Sequence, residues 1–397
     1  MAIPSRNRLI LIGALLCASG TAHGHHSFGT FDLNRSVEIV GTIASIDFVN
    51  PHAWLHVNAP GADGSTAEFR CEMRCATVLR RSGWTPDMFV VGEAVTVQGA
   101  PDRIDPLACY VNTLILADGR TFDRYTQREP AAALSTLAAA TTPVLPRTAS
   151  DAVNLAGDWA VEQQVMTDPR GRLGTLVPVS TAGQFARGAL PQQGIDMPGS
   201  EGFGPLAMVT LLYRLTVGAV SPFVFPWLDQ PLALTPRGRT AALPMEQHPQ
   251  FHCTTTSIIF DWYIETLVNR ISQDDDTVTI EYGQHGLVRT IHLGAAHPAN
   301  LEPSRAGHSI GRWENDVLVV DTIGFLPGMR AIEVAHGDQL HVVERFSLNG
   351  DGTVLTREYT ATDPDYFVGD YRGTDITPRS PLPFVKDVCD AALNPFR

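Results

Sequence analysis

The sequence predicts an all-β protein, a small OB-like barrel followed by a larger antiparallel β-barrel-like domain. Three observations carry this prediction. Apolar and polar residues alternate in short runs along residues 37–124, which is the period of half-buried strands. Charged residues make up only 18% of the chain while glycine (34) and proline (28) are plentiful, as in proteins of many short strands and tight turns. From residue 255 onward strand-like runs succeed one another, and Asn349-Gly350-Asp351-Gly352 between two of them is a strong hairpin signal.

Taken in order, residues 1–24 read as a secretory signal peptide. Arg6 and Arg8 precede "LILIGALLCA", an apolar run too short to cross a membrane as a helix, and "SGTAHG" follows with Ala22 and Gly24 at small-residue positions. Leu16 stands before Cys17, where a lipid-attachment signal has a small residue, so the expectation is a soluble, periplasmic protein. Cleavage after Gly24 makes His25 the first residue, whereas cleavage after Ala22 leaves two residues ahead of it.

Residues 25–124 then supply five strands: "VEIVGTIASIDF", "AWLHVNA", "TAEFRCEM", "VGEAVTVQGAP" and "CYVNTLILADGRTF". Between the third and fourth, "ATVLRRSGWTPDMF" has helical spacing at Val78 and Leu79 and a stop at Gly83, and this order fits a small closed barrel of the OB type. Residues 125–154, rich in Ala, Thr and Pro with no apolar period, read as a linker. The second domain spans 155–397, opening at "LAGDWAVEQQV". Its apolar stretch "PLAMVTLLYRLTVGAVSPFVFPW", broken by Tyr213 and Arg214 and closed by prolines, reads as a buried helix plus a loop rather than a membrane span. "SIIFDWYIETLVNRIS", "DTVTIEYGQHGLVRTIHL", "GHSIGRWENDVLVVDTIGF", "LHVVERFSL" and "TVLTREYTATD" are the expected strands of an antiparallel meander.

A formal net charge of -13 argues against a nucleic-acid or anionic-membrane partner. Cys71, Cys75, Cys109, Cys253 and Cys389 follow the signal, and in an oxidising compartment an odd count means at most two bridges and one thiol left over. The three residues between Cys71 and Cys75 put both on one face of a strand, too far apart to bridge, so a bridge from either to Cys109 on a neighbouring strand is expected. No GxGxxG, Walker loop, HExxH or GxSxG motif is present.

Residues 25–124 carry His25-His26-Ser27-Phe28, Asn50-Pro51-His52-Ala53-Trp54, Gly83-Trp84 and Ala117-Asp118-Gly119-Arg120. With these the region resembles the DUF6152 family of exported bacterial proteins. The remainder is similar to the C-terminal region often fused to such domains, through "PSRAGHSIGRWENDVLVVDTIGF", "LHVVERF" and "TATDPDYF". The resemblance implies fold and export but no activity. Such fused regions tend to carry one cysteine early in the meander and another near the C-terminus. Cys253 and Cys389 match these, and a bridge between them would staple the tail onto the barrel. The chain departs from its relatives at "CEMRC" and "CTTTS".

His25, His26, His52 and His56 lie within 32 residues. A free N-terminal His25 offers its amine and imidazole to one ion, and with His52 or His56 makes a nitrogen-rich site that suits copper; Asp32 and Asp47 are possible oxygen partners. The alternative is an edge strand packed through Phe28 and Phe31, with His52 capping backbone groups. In the second domain Arg305, His308, Ser309, Arg312, Glu314, Asp316 and Asp321 fall within 17 residues. His308 and Ser309 suggest a base and nucleophile, but neighbours on a strand face opposite ways. Arg312 with Glu314 reads as a surface or cavity-lining ion pair, Arg289, His292, Glu344 and Arg345 as lining one sheet face, and Asp363 and Tyr366 as standing at a barrel rim.

The function expected is that of an accessory or carrier protein holding a small, partly apolar ligand in the second barrel, contacted by Arg289, Arg312, Glu314 and Asp363. An enzyme (lyase, isomerase or hydrolase) working in the same cavity through His292, His308, Asp321, Glu344 or Tyr366 is the alternative. A module for interaction within the cell envelope is a third. The sequence does not set the oligomeric state.

Overall fold

A computed structural model describes residues 31–32, 35–50, 52–123, 145–161, 164–166, 176–178, 219–220, 232–241, 247, 249–263, 268–331, 334–390 and 392. The expected signal peptide, His25 and His26, most of the expected linker and nearly all of the apolar stretch at 205–227 lie outside them.

The first unit is a closed barrel of β1 (Val37–Asp47), β2 (Trp54–Pro60), β3 (Thr66–Glu72), β4 (Ala94–Pro101) and β5 (Ala108–Leu116), with the short β6 (Thr121–Asp123) beside β5. β1 pairs with both β2 and β4, β2 with β3, and β4 with β5; the parallel pair β3–β5 closes the ring. With helix α1 (Ala76–Arg81) between β3 and β4, this is the OB arrangement that the alternation predicts. Its inward side chains include Ile39, Ile43, Leu55, Val57, Val95, Val97 and Leu114, every one buried. α1 ends where expected: Gly83 takes φ 83° and donates to Arg80 O, which frees the chain to turn Trp84 into the core against Phe122. Where β4 bulges, a Cβ on Gly99 would stand 1.9 Å from Tyr110 O, so only glycine fits. Of the two expected cysteines, Cys71 bridges Cys109, directly across the closing seam, and Cys75 is buried in thiol form.

The second unit is a nine-stranded, nearly closed sheet. Its strands are β7 (Gly157–Trp159), β8 (Asn269–Gln273), β9 (Thr277–Glu281), β10 (Val288–Leu293), β11 (His308–Glu314), β12 (Val317–Ile323), β13 (His341–Leu348), β14 (Val354–Thr362) and β15 (Tyr371–Pro378), adjacent in that order. A bridge from Trp159 to Arg379 brings the first strand back to the chain leaving the last. The expected hairpin is present: Asn349–Gly352 turns β13 into β14, with Asn349 Oδ1 accepting from the amides of Thr353 and Val354. The one departure from the meander is β10–β11, which run parallel. A parallel neighbour needs a long crossover, and residues 294–307 supply it.

Among its described residues, "SIIFDWYIETLVNRIS" is strand only at its end. Residues 260–263 form one helical turn instead, because local side-chain bonds outbid the ladder: Ser257 Oγ accepts from the Phe260 amide, and Asp261 Oδ2 accepts from the Thr256 amide. This turn packs into the sheet's concave side, burying Ile258, Ile259 and Trp262 among Tyr282, Phe346 and Leu355.

The tail is stapled as the fused regions suggested, through Cys253–Cys389, which closes a loop of 136 residues. Beside the bridge the tail meets both units. Asn50 of the first unit donates to Asp387 Oδ1 and exchanges backbone bonds with Val388 and Asp390, while the His285 amide of the second donates to Asp387 Oδ2 at 3.0 Å. Burial would push the Asp387 carboxyl up, but the bonds from His285 and Asn50 outweigh it and hold it below the usual range. Cys389→Ser is expected to cost about 2–4 kcal/mol, chiefly by relaxing the unfolded chain. Thermal unfolding of the non-reduced protein checks this; an unchanged midpoint would mean that the bridge constrains nothing.

Candidate functional site

Strand parity sorts the polar residues of the second unit onto two faces. On β10–β15, Arg289, Ser309, Thr322, Glu344, Arg357 and Asp375 all point to the concave side and all are buried. Arg289 donates through Nε to Ser309 Oγ (2.8 Å), through Nη2 to Thr322 Oγ1 (2.7 Å), and through Nη2 to Glu344 Oε2. Arg357 donates to Asp375 Oδ2 (2.7 Å), to the carbonyls of Ile258 (2.8 Å) and Ile259 (3.1 Å), and reaches Glu344 Oε1 at 3.5 Å. Its guanidinium stands 5.2 Å from the rings of Trp262 and Tyr359. The row therefore holds two positive and two negative groups and is neutral as a whole.

Burial governs the protonation of this row. It opposes charge on Arg289, but the Glu344 carboxylate more than compensates and holds the guanidinium above its ordinary value. Burial raises the Asp375 carboxyl in spite of Arg357, and raises the Tyr282 phenol. Among the described residues, Asp375 Oδ1 makes no hydrogen bond here, and Arg289 Nη1 and the Tyr282 hydroxyl make no well-aligned one. The Tyr282 hydroxyl stands beside Arg289, close enough for the guanidinium to hydrogen-bond it weakly and to oppose the rise of its phenol.

The convex face carries a second constellation. His308 of β11, Asp321 of β12 and His341 of β13 share the outward parity with His292 of β10, and the crossover lays His297 over them. His297 Nε2 lies 2.9 Å from Asp321 Oδ1, His341 Nε2 2.9 Å from Asp321 Oδ2, and His297 Nδ1 2.8 Å from His308 Nδ1. The His292 ring stacks on His308 at 5.3 Å. Burial, followed by the neighbouring His297 and His292, holds His308 below the usual imidazole range. Burial would push Asp321 up, but the bonds from His341 and His297 prevail and keep it low.

The candidates are thus divided by the sheet. His292, His308 and Asp321 come together outside, Glu344 lies inside with Arg289, and Tyr366 belongs to neither set. The expectation that Arg289, His292, Glu344 and Arg345 line one face is corrected by parity: Arg289 and Glu344 point in, His292 and Arg345 out. His308 and Ser309 face opposite ways, as strand geometry requires. Arg312, Glu314 and Arg345 form an exposed ion cluster, with Glu314 Oε1 2.6 Å from Arg312 and Oε2 2.9 Å from Arg345. Asp363 is buried and organises a turn by accepting from the amides of Gly337 (2.6 Å) and Asp365 (3.2 Å); Tyr366 ends that turn beneath Arg237.

In the first unit His56 stands between two carboxylates, Asp47 at 2.9 Å and Glu68 at 3.0 Å, and His52 lies 3.0 Å from Glu72. His25 and His26 are outside the described residues. Among the described residues the compact set of three metal-type donors is His285, Asp387 and Cys389, whose sulfur is in the disulfide.

Fold and sites together define a two-part all-β protein, an OB-type barrel joined to a barrel-like sheet with a charged interior. Residues 14–106 match the family described as "Family of unknown function (DUF6152)", a span that takes in the first four strands of the N-terminal barrel. A comparison with curated proteins found no match.

Proposed function

We propose that the protein is an exported carrier that holds a small, partly apolar molecule on the concave side of the C-terminal sheet. The observation that supports this is a buried polar row in which, among the described residues, Asp375 Oδ1 makes no hydrogen bond and Arg289 Nη1 and the Tyr282 hydroxyl make no well-aligned one. Buried polar groups are nearly always hydrogen-bonded, and a ligand that donates to Asp375 and accepts from Arg289 satisfies them. The surroundings select its chemistry. The row is already neutral, so an added charge would be buried uncompensated at high cost, which favours an uncharged molecule with hydroxyl, amide or carboxylic-acid groups. Ile258, Phe346 and Leu355 supply the apolar contact.

Native mass spectrometry of the protein purified from its own host, followed by extraction under denaturing conditions, tests the reading. A mass excess that is released as a small organic molecule is the expected result, and a molecule returned chemically altered would favour the enzyme alternative instead. Tyr282→Phe, which deletes one hydrogen-bonding group at constant shape, should weaken retention about 2- to 10-fold. Protein that carries nothing beyond its chain mass, and that gains no stability from a panel of neutral amphiphiles, would rule the carrier reading out.

A further inference from the structure

The convex histidine cluster plays no part in the carrier reading and has chemistry of its own. It is assembled from five separate places: four strands whose outward positions share a parity, and the crossover that the parallel pair β10–β11 demands. His297 Nε2 faces a carboxylate oxygen, so it is the protonated nitrogen and Nδ1 bears the lone pair in the neutral ring. That Nδ1 accepts from His308 Nδ1, 2.8 Å away, so ring nitrogens from two elements converge on one point. Asp321 holds His297 with one oxygen while His341 holds Asp321 by the other. A carboxylate that fixes the far nitrogen of an imidazole is the recurrent outer shell of metal-bound histidine.

We propose that His297 and His308, completed by His292, form a binding site for a borderline divalent transition ion, Cu(II) or Zn(II), with Asp321 and His341 as positioning residues. The nitrogen-rich donor set suits these ions and not Mg(II) or Ca(II). On binding, the His308 proton moves from Nδ1 to Nε2, and no net proton is lost. His292, stacked on His308, needs only a side-chain rotation to bring a nitrogen to the ion. His297 is 18% exposed and Asp321 31%, so the ion enters from solvent without opening the fold.

The test uses the full chain carrying an extra N-terminal methionine, which displaces the amine of any site at His25. Equilibrium dialysis against Zn(II) alone and Cu(II) alone should give one equivalent bound. His297→Ala with His308→Ala should lower affinity at least 100-fold, and Asp321→Asn about 10- to 100-fold. His52→Ala with His56→Ala should leave it unchanged. A second readout stands apart from the variants: Zn(II) should shield His297 and His308 of the unaltered protein from carbethoxylation, as located by peptide mass mapping. Unshielded histidines, or equal affinity in the His297/His308 double variant, would overturn the proposal and leave a surface hydrogen-bond network.

Discussion

Glu344→Ala is expected to destabilise the protein by about 3–5 kcal/mol, enough to compromise soluble expression. Glu344 is fully buried and, among the described residues, is the carboxylate that pairs with Arg289, while Arg357 leans on it from the other side. Its removal leaves Arg289 as an uncompensated charge held in place by two hydroxyls. Arg357 suffers less, since Asp375 and two carbonyls remain. Concerted replacement, Glu344→Leu with Arg289→Met, should cost less than Glu344→Ala alone, because it removes the stranded charge together with its partner. Denaturant midpoints of the three proteins decide the matter. A Glu344→Ala change within about 0.5 kcal/mol of wild type, the range of an ordinary surface substitution, would show that water reaches this row.

The second large effect is one of pH, and it comes from Asp261. The residue is completely buried in the turn at 260–263, and burial pushes its carboxyl up to about 8 against the partial opposition of the Thr256 hydrogen bonds. The folded protein therefore binds this proton more tightly than the unfolded chain does. Below about pH 4 both states are protonated and the group has no effect. As pH rises from there to about 8 the unfolded chain releases the proton first, so stability falls through that window and levels off above it, by on the order of 4–6 kcal/mol in all. Asp261→Asn preserves the shape and the acceptor for the Thr256 amide but cannot ionise. Its unfolding free energy should match wild type at pH 4 and exceed it by several kcal/mol at pH 9. Parallel pH profiles for the two proteins would refute this buried, neutral carboxyl.

Much of the fold was legible in the chain. Alternation placed the five strands of the first barrel, and the Val78–Leu79 spacing with Gly83 placed its helix, since all are signals confined to a few neighbouring residues. The Asn349–Gly352 hairpin was of the same kind. "SIIFDWY" was misread because its apolar content suits a strand, while the capping bonds from Ser257 and Asp261 that bend it are invisible to a period count. The parallel pair was missed for a related reason: strand direction depends on how a connection crosses the sheet, which "GAAHPANLEPSRAG" does not announce.

The sites divide along the same line. The two-residue period separated His308 from Ser309 in the sequence, and it would equally have separated Arg289 from His292, which were expected on one face. The sequence by itself determined the cysteines that could be bridged, and placed several candidate histidines and carboxylates in the right strands. Only the tertiary structure decided which faces meet. Glu344 found Arg289 and Arg357 because β13 lies between β12 and β14 with that parity turned inward, where loss of water makes pairing obligatory. His297, 11 residues before His308, and His341, 20 after Asp321, joined the outer cluster only because a crossover and a neighbouring strand delivered them there. Side-chain parity is set by the local backbone and is therefore written in the sequence; neighbourhood across a sheet is set by long-range pairing and is not.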